Sequence, residues 1–198
     1  MKKIGLLLAL LPFFTVAGAV RPLPNAIGYK METPGFQNFE TIRYGNPFSG
    51  NYRSILEIAP EINGKMGIRL PVDEQGNMKA ATLELRFSRA VKVLVGVTDP
   101  SVLAKVDFHK GKLAGQPVML NALSITELPA MDVYAVEYRS GKQQITVPAN
   151  PGGHLAILGV VASNYDIAFR DAGIEDQENY EAFYIEGFAE GPDRKSVV

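Results

Sequence analysis

Two histidines, His109 and His154, are the only imidazole side chains in the sequence, and they limit the chemistry available to it. A Ser-His-Asp arrangement would need one of them, and a metal site built from several imidazoles is excluded. His109 precedes Lys110-Gly111 and is expected to be a solvated turn residue. His154 follows Gly153 and is expected to enter a strand with a hydrogen bond to backbone. Motifs such as Gly-x-Ser-x-Gly, His-Glu-x-x-His and glycine-rich phosphate loops are absent, so the sequence carries no enzyme signature.

Paired carboxylates could also do chemistry, because glycoside hydrolysis uses two carboxyl groups about 5–10 Å apart, one of them with a pKa raised by burial. Four glutamates lie on predicted strands: Glu57, Glu84, Glu127 and Glu137. Each falls where the polar face of its strand is expected to meet solvent. We therefore predict no catalytic residue, and a small secreted hydrolase is the second alternative. The absence of cysteine excludes thiol nucleophiles and thiolate metal sites.

The segment Asp73-Glu74-Gln75-Gly76-Asn77 combines oxygen-bearing side chains with a flexible glycine. Its spacing differs from the established calcium-loop pattern, so an ordinary turn is the favoured interpretation and a bound calcium ion is left open. No metal or cofactor is predicted for this protein.

A sugar site matches the remaining chemistry better, because carbohydrate sites stack sugar rings on aromatic side chains and bond their hydroxyl groups to polar ones. The loop from Tyr44 to Arg53 offers both kinds of residue. Its candidate ligand-binding residues are Tyr44, Asn46, Asn51, Tyr52 and Arg53. The structural alternative is that Phe48 and Tyr52 plug the end of the fold while the asparagines make turns.

The elements that must position these residues are strands, because apolar and polar residues alternate with a period of two. Residues 81–88 and 91–98 show this alternation, as do shorter runs within 103–108, 123–126 and 134–138. The run Leu155 to Ala162 is apolar at every position and is typical of a central strand with both faces covered.

Short glycine-containing segments separate these runs and predict tight connections. The clearest is Ser140-Gly141, which is expected to join Asp132–Tyr138 to Gln143–Val147 as a hairpin. About nine short strands without an intervening amphipathic helix predict an all-β fold, an antiparallel β-sandwich or jelly roll.

Of the 198 residues, 46% are hydrophobic and 21% charged, which suits one folded domain. A net charge of −1 gives no basic field for nucleic acid. Residues 1–19 have a basic start, an apolar middle and the end Ala17-Gly18-Ala19, which predicts a signal peptide cleaved after Ala19. We expect the mature chain to be periplasmic or secreted and not attached to a membrane.

The remaining chain divides by composition into three parts. An aromatic segment rich in Gly, Pro and Asn covers residues 20–52, and a β-sandwich domain covers residues 53–170. The tail, residues 171–198, holds eight acidic and no basic residues between Asp171 and Asp193. Its aromatic residues have helical spacing and could bind a protein partner or dock on the tail's own domain. They are Tyr180, Phe183, Tyr184 and Phe188.

Four runs carry a resemblance to a known family: Gly67–Pro71, Leu83–Phe87, Val91–Val97 and Leu155–Val161. In strand texture and turn placement they resemble the galactose-binding-like jelly-roll domains of secreted bacterial proteins, over about residues 53–162. The resemblance implies that fold more than a function, and such domains commonly accompany enzymes that act on polysaccharides.

The leading hypothesis is an exported, non-catalytic module that binds carbohydrate or another cell-surface component. The alternative is an interaction protein that uses its acidic aromatic tail to bind a partner or a second copy of itself.

Overall fold

The computed structural model describes residues 30–31, 37–38, 47–49 and 53–174, which form an all-β fold. These residues contain thirteen strands and one 3-10 helix, Pro100–Lys105. The strands are β1 Lys30–Met31, β2 Gln37–Asn38, β3 Pro47–Ser49, β4 Arg53–Ile58, β5 Ile68–Arg69, β6 Ala81–Phe87, β7 Val91–Val97, β8 Lys112–Leu113, β9 Met119–Ile125, β10 Leu128–Tyr138, β11 Gly141–Val147, β12 Leu155–Ala162 and β13 Arg170–Asp171.

The strands form a small sheet and a large sheet. The small sheet has the order β1-β6-β11. The large sheet has the order β2-β5-β12-β7-β10-β9-β4-β3, with β8 added beside β10 and β13 beside β9. All the pairs are antiparallel except β13 with β9. The predicted antiparallel β-sandwich is confirmed, with a jelly-roll-like curl in its large sheet.

The first core lies between the small sheet and one face of β12, β7 and β10. Leu83, Leu85 and Phe87 of β6 point into it, and they alternate with exposed residues as the sequence predicts. Val93 and Val95 of β7 meet them from the large sheet. Burial of these side chains supplies most of the free energy that holds the two sheets together.

The second core covers the opposite face of the same central strands. Leu94 and Leu158 from β7 and β12 share it with Ile55 of β4 and Ile125 of β9. Because β12 and β4 lie four strands apart in the sheet order, the large sheet must curl over for these side chains to meet. β7 and β12 are therefore covered on both sides, which confirms the central position predicted for residues 155–162.

Two predictions about individual segments are wrong. Tyr138 and Gly141 flank the predicted hairpin, but β10 pairs with β7, β8 and β9 while β11 pairs with β6, so the chain crosses between the sheets at Ser140. The run within 103–108 is not a strand, because Pro100–Lys105 forms the 3-10 helix. The Asp99 side chain accepts a hydrogen bond from Ser101 N and caps this helix.

No helix within the described ranges is long and apolar enough to cross a membrane. The predicted signal peptide, residues 1–19, lies outside the described residues. So does most of the segment 20–52 and all of the tail beyond Ile174.

Candidate functional site

Among the candidate ligand-binding residues of the loop, Tyr44, Asn46, Asn51 and Tyr52 lie outside the described residues. Arg53 is described and begins β4. Phe48, within the same loop, is 4% exposed and belongs to the second core, as the structural alternative for this residue expects.

Arg53 lies against the turn that contains Gly76. Its Nη1 atom donates to Gly76 O at 3.1 Å and is 3.3 Å from His154 Nε2. Gly76 has φ +80°, and a Cβ atom there would lie 2.6 Å from Arg53 Nη1. Glycine thus provides both the left-handed backbone and the space that the guanidinium occupies.

His154 is held at the entry to β12, which confirms its predicted role. Its backbone N–H donates to Thr98 Oγ1 at 2.9 Å, and its Nε2 atom is 3.1 Å from Gly76 O. Whether Nε2 donates to Gly76 or accepts from Arg53 depends on the tautomer. Burial, together with the nearby positive charge of Arg53, lowers the pKa of His154 and favours the neutral ring.

His109 is an exposed turn residue, as predicted, but it takes part in a relay of polar groups. Its Nδ1 atom is 3.5 Å from Asp107 Oδ2, and its Nε2 atom is 3.1 Å from Thr146 Oγ1. This is the connectivity of a nucleophile, base and orienting carboxylate. The Thr146 N–H donates to Asp107 O, and the Asp107 N–H donates to Thr146 O, both at 2.9 Å. Backbone and side-chain hydrogen bonds together attach this turn to β11.

The Asp73–Asn77 segment is a turn closed by its own side chain. Asp73 Oδ1 accepts from the N–H groups of Gln75 and Asn77, and Oδ2 accepts from Asn77 Nδ2. Among the described residues no group of three or more His, Asp or Glu side chains could hold a metal ion. The contacts of Asp73 thus match the ordinary turn.

The four glutamates considered for catalysis are all exposed: Glu57, Glu84, Glu127 and Glu137. Glu127 departs from its predicted strand position, because it lies with φ +60° in the tight turn between β9 and β10. Glu84 belongs to the small sheet and the other strand glutamates to the large sheet. Glu57 and Glu84 are therefore placed on different sheets.

Arg170 and Glu61 form an ion pair between two segments that are distant in sequence. Arg170 Nε bonds Glu61 Oε1, and Arg170 Nη2 donates to Glu61 Oε2 at 2.9 Å. Burial opposes ionisation of Glu61, yet the hydrogen bonds and the charge of Arg170 lower its pKa overall. The pair attaches the first residue of β13 to the turn after β4.

A cleft of about 330 Å³ lies on the face of the large sheet where β7, β10 and β8 run side by side. Glu137 of β10 is in register with Lys92 of β7 on one side and with Lys112 of β8 on the other. Directly opposed residues on neighbouring strands point to the same face, so these side chains form a cross-strand row of positive, negative and positive charge.

Three of the four charged side chains that line the cleft have no hydrogen bond or ion pair to a described residue. Lys92 Nζ donates to Tyr165 O at 2.8 Å and fixes the segment that forms one wall. Glu137, Lys112 and Asp166 make no side-chain hydrogen bond or ion pair to any described residue. Three charged groups that face a cleft without partners in the described part of the chain are available to a ligand.

Beyond the charged row, the cleft is apolar. Ala135 is the next residue of β10 on the same face, and Ala114 N donates to its carbonyl oxygen at 2.9 Å. Val118 and Ile167 complete this part of the lining. The cleft therefore combines an apolar surface with a polar edge, as a sugar ring does.

Sequence reasoning placed Lys92 and Glu137 on strands but did not bring them together with Lys112. Their juxtaposition depends on the register of three strands that are distant in sequence. The only local signal was the alternation that puts Lys92 and Glu137 on polar positions.

The candidate partner-binding residues of the tail lie outside the described residues: Tyr180, Phe183, Tyr184 and Phe188.

Comparisons with known proteins support the fold. No family model matches the chain, and no curated protein matches it. The resemblance to galactose-binding-like domains therefore stays a prediction. One solved structure, described as a GH138 enzyme targeting pectin rhamnogalacturonan II, has a TM-score of 0.60 and 23% sequence identity. The match covers 78% of this chain and 18% of that enzyme, so the chain is similar in fold to a limited part of a much longer carbohydrate-active protein.

Proposed function

We propose that this protein is an exported, non-catalytic module that binds carbohydrate in the cleft between β7, β8 and β10. The observation that carries the proposal is the cleft's division into an apolar surface at Val118 and Ile167 and a charged row at Glu137. Sugar rings present apolar C–H faces and a rim of hydroxyl groups, so they can contact both parts at once.

The charged row suits hydroxyl groups in particular. The Glu137 carboxylate accepts hydrogen bonds, and the ammonium group of Lys112 donates them. Hydrogen bonds to charged groups are stronger than those between neutral groups. The neighbouring strands are spaced about 4.8 Å apart, a distance over which several hydroxyl groups of one sugar can be bonded together.

Two further observations support binding rather than catalysis. Glu137 is exposed between two lysines, whereas a general acid for glycoside hydrolysis requires a carboxyl in an apolar environment. The fold is shared with a limited part of an enzyme targeting pectin rhamnogalacturonan II, and such a part is suited to an accessory role. The loop from Tyr44 to Arg53 remains a proposed second contact region, and export rests on the predicted signal peptide.

Polysaccharide retention tests the proposal. The mature chain is passed over a panel of immobilised plant and bacterial polysaccharides, and affinity for any retained glycan is measured. The double change Lys112→Ala and Glu137→Ala is expected to weaken binding at least about tenfold, since two charge-assisted hydrogen bonds are lost. Glu57→Ala removes an equally exposed strand glutamate outside the cleft and should leave affinity unchanged.

Failure of the wild-type chain to bind any glycan would contradict the proposal, as would equal binding by the double variant. Tyr44→Ala and Tyr52→Ala report separately on the loop. If these two changes abolish retention and the cleft changes do not, the site is the loop and the cleft assignment is wrong.

A further inference from the structure

Phe169 is an aromatic side chain that the core does not cover. It is 61% exposed, and Met66, at 45%, is the other large hydrophobic side chain exposed among the described residues. A single exposed apolar residue needs no explanation, but one that extends the apolar lining of a cleft marks an interaction surface. The position of Phe169 relative to the cleft therefore decides what its exposure means.

Phe169 lies at the edge of the cleft between β7, β8 and β10. Ile167 lines the cleft, and two residues of extended chain span at most about 7 Å, which limits the distance between the Cα atoms of Ile167 and Phe169. Arg170 of β13 is in register with Met119 of β9. Because this pairing is parallel, the residue before Arg170 lies level with Val118, a second lining residue. Phe169 thus adjoins the apolar part of the lining.

The segment that carries Phe169 is fixed at both ends. At its start, Lys92 Nζ donates to Tyr165 O at 2.8 Å and attaches the segment to β7. At its end, Arg170 bonds the carboxylate of Glu61 through two nitrogen atoms. A contact residue that is held in place before binding loses little conformational entropy, so more of its contact energy contributes to affinity.

We propose that the ring of Phe169 stacks on a sugar unit next to the one held in the cleft. The inference rests on the proposed function and specifies its ligand, a saccharide chain of at least two units. The charged row bonds the hydroxyl groups of one unit, and Phe169 covers the C–H face of its neighbour. A protein partner fits less well, because a stable protein interface needs a surface far larger than one ring and two aliphatic side chains.

A tryptophan reporter tests the stacking directly. The chain contains no tryptophan, so Phe169→Trp introduces a single indole whose fluorescence reports on this position alone. Soluble xylan, galactomannan, arabinogalactan and polygalacturonan are added in turn. The polysaccharide that binds should shift the emission saturably to shorter wavelength, since a stacked sugar excludes water from the ring. Met66→Trp is the matched control at an exposed side chain outside the cleft lining and should show no shift.

Calorimetric titrations with the same polysaccharides measure the contribution of the ring. Phe169→Ala should weaken binding about tenfold, whereas Phe169→Tyr keeps a flat ring and should stay within about twofold of the wild type. Phe169→Leu keeps an apolar side chain without a ring and should lose nearly as much as Phe169→Ala. Circular dichroism verifies that each variant folds.

Chain length is the second variable. The hexasaccharide of the bound polysaccharide should bind the wild type at least about tenfold more tightly than the monosaccharide, because only the longer ligand reaches both the cleft and Phe169. Phe169→Ala should reduce this difference.

Several outcomes would overturn the inference. Emission typical of a buried indole in the Phe169→Trp variant without glycan would show that the chain itself covers this position. An emission that does not change on binding, or full affinity of Phe169→Ala or Phe169→Leu, would exclude stacking. Equal affinity of the wild type for the hexasaccharide and the monosaccharide would exclude a second bound unit.

The double change Lys112→Ala and Glu137→Ala separates this inference from the proposed function. If the double variant binds weakly and Phe169→Ala binds as the wild type does, this inference fails while the cleft proposal stands. If Phe169→Ala binds weakly and the double variant binds normally, the cleft is not the site and the stacking contact remains. A wild-type chain that binds none of the four polysaccharides contradicts the stacking contact.

Discussion

Arg170 and Arg53 each contact a turn from another part of the chain, Arg170 through Glu61 and Arg53 through Gly76 O. At Arg170 the chain supplies the carboxylate of Glu61, which is 7% exposed. At Arg53 the described chain supplies only the carbonyl oxygen of Gly76 and the ring of His154, both on the other side of the guanidinium. The comparison separates an arginine whose Nε and Nη2 atoms are both bonded to a carboxylate from one whose buried Nε atom has no hydrogen-bond partner among the described residues.

Removing Arg170 should have the largest effect on stability. Arg170→Met leaves the Glu61 carboxylate buried without its partner, and we expect the free energy of unfolding to fall by about 2 kcal/mol. We expect no larger loss of stability because the Arg170 side chain is 31% exposed, so solvent screens the ion pair. Urea denaturation measures it.

Arg53→Met provides the matched comparison, with an expected loss below about 1 kcal/mol, because only one hydrogen bond to Gly76 O is removed. Adding Glu61→Met to Arg170→Met should recover part of the loss, since no unpaired charge remains. Equal destabilisation by Arg170→Met and Arg53→Met would contradict the distinction between the two arginines.

Gly76, which contacts Arg53, and Gly173, which follows Arg170, allow a second comparison of the two arginines. Gly76 and Gly173 have φ +80° and +68°, so alanine at either position should cost about 1 kcal/mol of backbone strain. A Cβ at Gly173 meets nothing within 4 Å, whereas one at Gly76 displaces the flexible end of Arg53. We expect Gly173→Ala to lower the melting temperature through backbone strain alone, and Gly76→Ala to lower it further because Arg53 is displaced from its hydrogen bond to Gly76 O. Equal losses would show that this turn does not fix the position of Arg53.

Acidification should weaken the two regions in separate pH ranges, with the smallest effect at His154. The pKa of His154 is lowered from an ordinary value of 6.5, so the unfolded chain binds more protons and stability falls as the pH drops through this value. The pKa of Glu61 is lowered from 4.5, so its contribution is present above that value and is lost at lower pH.

Melting temperatures between pH 8 and pH 3 check both steps. His154→Gln should flatten only the first step, and Glu61→Gln only the second. A single step that neither variant alters would show that other groups control acid sensitivity.

The fold was largely predictable from the sequence because single strands carry their own signal. Residues 81–87 alternate between buried and exposed, and residues 155–162 are apolar throughout, as strands of this kind must be. Strand pairing was less predictable. Ser140-Gly141 has the composition of a hairpin turn, but the side chains on β11 belong to the first core opposite β10, so burial outweighs the local turn preference.

The segment after Asp99 shows a second limit. Its alternating apolar residues suited a strand, yet Asp99-Pro100 is also a helix-start signal, and the capping bond to Ser101 shows which preference prevails.

The candidate sites were only partly predictable because they depend on register. The charges of Lys92, Lys112 and Glu137 meet only after three strands align. Arg53 was identified from the composition of its loop, but the position of its guanidinium is set by a glycine in another turn. Local composition can indicate which residues are chemically useful, whereas tertiary contacts decide which of their atoms remain available.

The chain passes between the two sheets five times within the described residues, and this has a kinetic consequence. The small sheet consists of β1, β6 and β11, none of which is next to another along the chain. It cannot nucleate from a hairpin, and each of its pairings must close a long loop. We therefore expect this sheet to assemble late, on the millisecond-to-second timescale typical of non-local β structure, after the β9–β10 hairpin has provided a surface for it.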